Sequence, residues 1–157
     1  MRRPDLSFGS KIVVNYAVQS DFHIFNSPPE AMTNKPPQKL TALIIDDETD
    51  ICFLLSSILK QRNYQTVFAR SLSEAEEILA NGTDHSVIFL DNHLPDGLGV
   101  NNINRIKLKC PSSRIIMITA HDTTSDREKA QNEGVDSFIG KPFSKEIIFK
   151  TLESLSL

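Results

Sequence analysis

Leu40-Thr41-Ala42-Leu43-Ile44-Ile45-Asp46-Asp47-Glu48 runs straight into Thr49-Asp50-Ile51-Cys52-Phe53-Leu54-Leu55-Ser56-Ser57-Ile58-Leu59-Lys60-Gln61. Residues 40–45 form a mostly apolar run that ends in acids. The run is too short for a helix and lacks polar alternation, which predicts a strand buried on both faces. Over residues 48–61 the period changes. Ile51, Leu54, Leu55, Ile58 and Leu59 recur at the spacing of one apolar helical face. A doubly buried strand followed at once by an amphipathic helix is the unit of a parallel α/β sheet.

The same unit returns along the chain. Residues 66–69 predict a short edge-like strand. Ser71 then opens a helix, with Glu74 completing a capping box and Ala75, Ile78 and Leu79 facing inward. Val87-Ile88-Phe89-Leu90 is a third strand ending at Asp91. A turn with Pro95, Gly97 and Gly99 leads to a helix carrying Val100, Ile103 and Ile106. Ile115-Ile116-Met117-Ile118 is a fourth strand ending at Thr119. A more polar helix over 123–133 stops at Gly134 in the C′ role. Ser137-Phe138-Ile139 is the fifth strand, followed by Gly140-Lys141-Pro142. Ser144 caps a last helix with Ile147, Ile148, Thr151 and Leu152. Strand and helix alternate throughout. The expected architecture is therefore α/β: a doubly wound five-stranded parallel sheet with helices on both faces.

Residues 1–39 differ in kind. They hold five of the eight prolines and carry a net charge of +2, against −5 over 40–157. Pro28-Pro29 and Pro36-Pro37 bias their neighbours against helix. A flexible, disordered extension is expected over 1–39, a short strand over 11–18 being the alternative, and a folded domain over 40–157. Met32 is an alternative start. The apolar stretch after Met1-Arg2-Arg3 is too short and interrupted for an export signal. No run reaches the roughly 20 apolar residues that span a bilayer. The net charge of −3 argues against a nucleic-acid surface. Cys52 and Cys110 form no metal-spaced pair, so a reducing, cytoplasmic compartment is expected. Cys52 is expected on the exposed or boundary side of its helix, and His23 and His85 at the surface.

In open parallel sheets, ligands bind at the carboxyl ends of the strands. There the sequence places Asp46-Asp47, Asp91, Thr119 and Lys141. Neighbouring carboxylates repel one another unless a cation offsets them. Oxygen donors in an incomplete shell favour Mg²⁺ over Ca²⁺.

With these residues in place, 40–157 resembles the response-regulator receiver domain of two-component signalling. The resemblance rests on Ile44-Ile45-Asp46-Asp47-Glu48, Phe89-Leu90-Asp91 with Leu94-Pro95-Asp96-Gly97-Leu98-Gly99, Ile118-Thr119-Ala120 and Ile139-Gly140-Lys141-Pro142-Phe143. It implies the flavodoxin-like strand order 2-1-3-4-5. It implies that Asp91 accepts a phosphoryl group from a sensor histidine kinase or a histidine phosphotransfer protein. Mg²⁺ is then held by Asp47, Asp91 and the backbone carbonyl of His93, with Asp46 acting through water. Lys141 and Thr119 contact the phosphoryl oxygens, and the small Ala120 leaves the approach open. Lys141-Pro142 is expected to be cis. Thr119 and Phe138 are the expected switch residues, and the fourth helix, fifth strand and fifth helix the face read by a downstream protein. His93 and His121 flank the site and tune loss of the phosphoryl group. No separate enzyme activity is implied beyond self-phosphorylation and slow dephosphorylation. A truncated or diverged receiver of an enhancer-binding transcription regulator, and a pseudo-receiver that binds without phosphorylation, are the alternatives. A haloacid-dehalogenase-type phosphatase needs an acid where His93 stands. A flavodoxin needs a phosphate loop where Asp46-Asp47-Glu48 stands.

Overall fold

The computed structural model describes residues 40–120 and 123–157. The readings made for residues 1–39, including His23, and for His121 lie outside the described residues. The chain follows the predicted alternation: β1 (Thr41–Ile45), α1 (Thr49–Lys60), β2 (Gln65–Ala69), α2 (Leu72–Ala80), β3 (Val87–Asp91), α3 (Ile103–Lys109), β4 (Arg114–Thr119), α4 (Thr124–Asn132), β5 (Ser137–Gly140) and α5 (Lys145–Ser154). The five strands form one parallel sheet in the order β2-β1-β3-β4-β5, the flavodoxin-like order expected.

Alternate strand residues face opposite sides. Leu43, Ile45, Ile88, Leu90, Ile115 and Met117 pack with α2, α3 and Ala130 of α4. Ala42, Ile44, Val87, Phe89, Ile116 and Ile118 pack with α1 and α5. Each fully buried aliphatic side chain contributes roughly 1.5–3 kcal/mol by leaving water. The sheet is therefore held from both faces, and its strand ends are held with it.

Three helix starts are capped by a hydroxyl: Ser71, Thr123 and Ser144 accept from the backbone N–H three residues on. At the end of α4, Gly134 N–H reaches the Gln131 carbonyl and Val135 N–H the Ala130 carbonyl. That is a Schellman stop, with Gly134 at φ +92° in the predicted C′ role.

Some burial differs from the sequence reading. The buried stripe of α1 is Cys52, Leu55, Ser56, Ile58 and Leu59. Leu54 is exposed, and so is Ile147 in α5. Cys52 is not at the surface; its thiol donates to the Asp46 carbonyl at 3.2 Å. The helix has turned its stripe away from Leu54; Phe53, next to it in the chain, is exposed and meets Phe68 of β2 edge-on with ring centroids 6.2 Å apart. His85 is also buried, not exposed. Its own carbonyl accepts from the Ser113 hydroxyl at 2.6 Å, which ties the loop before β3 to the start of β4.

Candidate functional site

The parallel register sets polar residues side by side at one end of the sheet. Ile45 of β1 pairs with Leu90 of β3, and Asp91 of β3 with Ile118 of β4. Thr119 pairs with Gly140 of β5, and Lys141 N–H continues that ladder to the Thr119 carbonyl at 2.8 Å. Asp46, Asp91, Thr119 and Lys141 thus end four adjacent strands. All but Lys141 are buried, and the Lys141 side chain is only 10% exposed. The Lys141-Pro142 peptide is cis, as the resemblance implies.

Lys141 Nζ lies 3.0 Å from Asp46 Oδ2, 3.2 Å from Asp91 Oδ1 and 2.7 Å from Glu48 Oε1. The other oxygens of the two aspartates are taken by the backbone. Glu48 N–H donates to Asp46 Oδ1 at 2.9 Å, and His93 N–H to Asp91 Oδ2 at 2.6 Å. Burial alone would lower the pKa of the ammonium. Its hydrogen bonds to Glu48 and Asp46, with the charges of Asp91 and Asp46, outweigh that and raise it. Burial raises the Asp46 carboxyl, against the bonds from Lys141 and Glu48 N–H. Burial, helped by Asp46, pushes the nearby Cys52 thiol up to about 11, which keeps it protonated and inert.

Lys141 also has a partner that the sequence reading did not assign. The third carboxylate on Lys141 is Glu48; Asp47 stands exposed at the rim. Among the described residues, no three His, Cys, Asp or Glu side chains converge as a ready-made metal site. The donor chemistry still fits a hard cation: every carboxylate is an oxygen donor, and three of them share one ammonium, which leaves excess negative charge. His93 contributes its N–H to Asp91, and its side chain is exposed.

The turn after Asp91 was only partly visible in the sequence. His93–Leu94 pairs antiparallel with Gly97–Leu98, and a 3₁₀ turn, Gly99–Asn102, leads into α3. Asp96 fastens this turn to α2: its carboxylate accepts from the Leu72 and Ser73 N–H groups, each at 2.9 Å. A Cβ on Gly99 would lie 2.2 Å from the Asp91 carbonyl, so only glycine lets the turn before α3 approach β3 this closely. Phe138 is half-buried against the α2–α4 side of the core, with the Arg127 guanidinium 4.7 Å from its ring centroid.

The sequence profile of the response regulator receiver domain matches residues 42–153. The chain belongs to the response regulator receiver domain family. Among curated proteins, this receiver domain is 36% identical over 101 residues to the response regulator protein PilR of Pseudomonas aeruginosa, covering 64% of the chain and 22% of PilR. It is 33% identical over 109 residues to the phosphate regulon transcriptional regulatory protein PhoB of Escherichia coli, covering 68% of the chain and 47% of PhoB. The matched stretch is thus less than half of either relative. Among solved structures, it is similar to the beryllofluoride-activated NtrC4 receiver domain dimer, with TM-score 0.68 and 38% identity, covering 73% of this chain and 93% of that one. The non-phosphorylated HemR receiver domain of Leptospira biflexa aligns with TM-score 0.67 and 28% identity, covering 74% and 94%.

Proposed function

We propose that this receiver domain is a phospho-accepting response regulator. Asp91 takes a phosphoryl group from a phosphohistidine on a sensor histidine kinase or a histidine phosphotransfer protein. An Asp91 oxygen forms a bond to phosphorus as the phosphorus–nitrogen bond breaks, and the imidazole leaves with that electron pair. The observation that carries this reading is the Lys141 ammonium held between Asp46 and Asp91 at neighbouring strand ends. Phosphoryl transfer needs positioning and charge neutralisation more than covalent help, and a fixed ammonium beside a buried carboxylate supplies both. Asp47, Asp91 and the His93 carbonyl would hold Mg²⁺, with Asp46 acting through water; bound there, the cation neutralises charge on the phosphoryl oxygens. Thr119 offers its hydroxyl to those oxygens, and the small, exposed Ala120 leaves the approach open.

Phosphorylation adds about two negative charges at Asp91. In this reading Thr119 moves toward them, Phe138 turns inward, and the α4-β5-α5 face becomes the surface a downstream protein binds. The chain acts on no separate substrate and loses its phosphoryl group slowly by itself. The charge of −5 over 40–157 favours a protein partner over direct nucleic-acid binding. Among the described residues, no helix is long and apolar enough to cross a membrane, and the proposed location is cytoplasmic. Incubation with acetyl phosphate and Mg²⁺, read by intact mass, tests the acceptor. One phosphate increment is expected, abolished in Asp91→Asn; an unchanged increment in that variant refutes the assignment.

The turn at 94–99 supports a second reading, in which the chain is the receiver part of a longer enhancer-binding transcription regulator; the matched stretch is only 22% of PilR and 47% of PhoB, a transcriptional regulatory protein. The mass of the protein isolated from its own cells separates the two.

A further inference from the structure

We infer that the Glu48 side chain is a built-in competitor of the phosphoryl group for Lys141, and that it limits how fast Asp91 is phosphorylated. The inference rests on the reading of Asp91 as acceptor. An ammonium has three N–H donors, and Lys141 already faces three carboxylates, on Asp46, Asp91 and Glu48. When an Asp91 oxygen bonds to phosphorus, the bond from phosphorus to the donor's leaving group breaks and that group departs with the electron pair. Lys141 keeps its proton throughout. For Lys141 to donate to the new phosphoryl oxygens, one of its present contacts must open.

The three contacts are not equivalent. Asp46 and Asp91 are buried, and each has its second oxygen fixed by a backbone N–H. Releasing either would strand a charge away from water. The Glu48 side chain is 60% exposed, yet it makes the shortest of the three contacts, 2.7 Å. It sits at the N-cap of α1 without capping the helix through its side chain. Its carboxylate is spent on Lys141, and once released it regains water. Glu48 is therefore the contact that opens. Until it opens, it occupies Lys141 and sets a negative charge at the mouth of the site, facing an anionic donor. The backbone and side chain of Glu48 act in opposite senses: its N–H holds Asp46 in place, and its carboxylate contends for the cation.

A side-chain substitution separates these roles, because Glu48→Gln keeps the N–H and the shape and removes the charge. The test is the rate of phosphate gain at Asp91 from acetyl phosphate at saturating Mg²⁺, by intact mass, across a range of salt. At low salt, Glu48→Gln is expected to react about two- to fivefold faster than wild type, the factor that corresponds to an exposed ion pair. The gain should shrink as salt screens the charge, which a merely structural role would not produce. Glu48→Ala, which also removes the contact, should gain at least as much. Wild type that is phosphorylated at Asp91, with Glu48 variants no faster or faster by a salt-independent factor, overturns the inference and leaves the acceptor reading intact. Wild type that gains no phosphate overturns the acceptor reading, and this inference with it.

Discussion

His85 and Asp91 flank β3, one before it and one at its end, and the fold treats them in opposite ways. Asp91 is buried with both oxygens engaged, by Lys141 and by His93 N–H. His85 is 2% exposed, and neither ring nitrogen has a hydrogen-bond partner. Burial lowers its pKa from the ordinary 6.5, with Asp84 opposing. The imidazolium is thus disfavoured in the folded chain. The stability that follows is complete above the unfolded value and is lost as pH falls through the lower folded value. Thermal melts between about pH 8 and pH 5 should show it. His85→Leu is expected to match or exceed wild type at pH 8, since two unpaired buried nitrogens are gone. Its loss of midpoint on acidification should be smaller; an equal loss in both proteins would refute this account. Asp91 was legible in the sequence because it ends an apolar run that fits a buried strand, and Lys141 because it stands in the Gly140-Lys141-Pro142 motif after a short strand. His85 was not, because Asp84-His85-Ser86 is polar throughout and its backbone is tied to Ser113, 28 positions on. The partnership of Glu48 with Lys141 was hidden for the same reason.

At the level of elements, all five strand–helix units could be read: most from apolar period, helped by the Ser caps of α2 and α5, and α4, which is polar, from the Gly134 stop that follows it. The stripe of α1 was read slightly out of phase. Apolar residues at Ile51, Cys52, Phe53, Leu54 and Leu55 surround that turn, and packing against the sheet, not hydrophobicity, selects Cys52 and Leu55. The paired turn His93–Leu94 with Gly97–Leu98 and the 3₁₀ start of α3 were not legible, since they depend on contact with β3. Gly99 marks that contact. Gly99→Ala sets a methyl group against the Asp91 carbonyl, which cannot retreat without shifting β3. The variant is expected to lose about 1–3 kcal/mol and to take up phosphate from acetyl phosphate more slowly. Urea unfolding and intact mass would check the two effects, and wild-type values in both would show that the turn gives way freely.

Across the whole domain, the helices are unequally held. α1 buries five residues, whereas α4 buries Ala130 alone. Amide exchange should therefore be fastest in α4 among the five helices. Acetyl phosphate with Mg²⁺ is expected to change exchange within 123–155 and to leave β1 and β3 unaltered. A change centred on β1 or β3 instead would place the responsive surface elsewhere. The ion pair between Glu48 and Lys141 spans 93 positions of chain, and that distance bears on birth as well as on signalling. Synthesis runs from the N-terminus, so both aspartates and Glu48 leave the ribosome before Lys141 does. A nascent chain that has not yet made Lys141 carries Asp91 without that ammonium beside it. In the proposed reading the Lys141 ammonium reaches Asp91 only once β5 has docked on β4, so any phosphoryl transfer that depends on Lys141 waits for that strand.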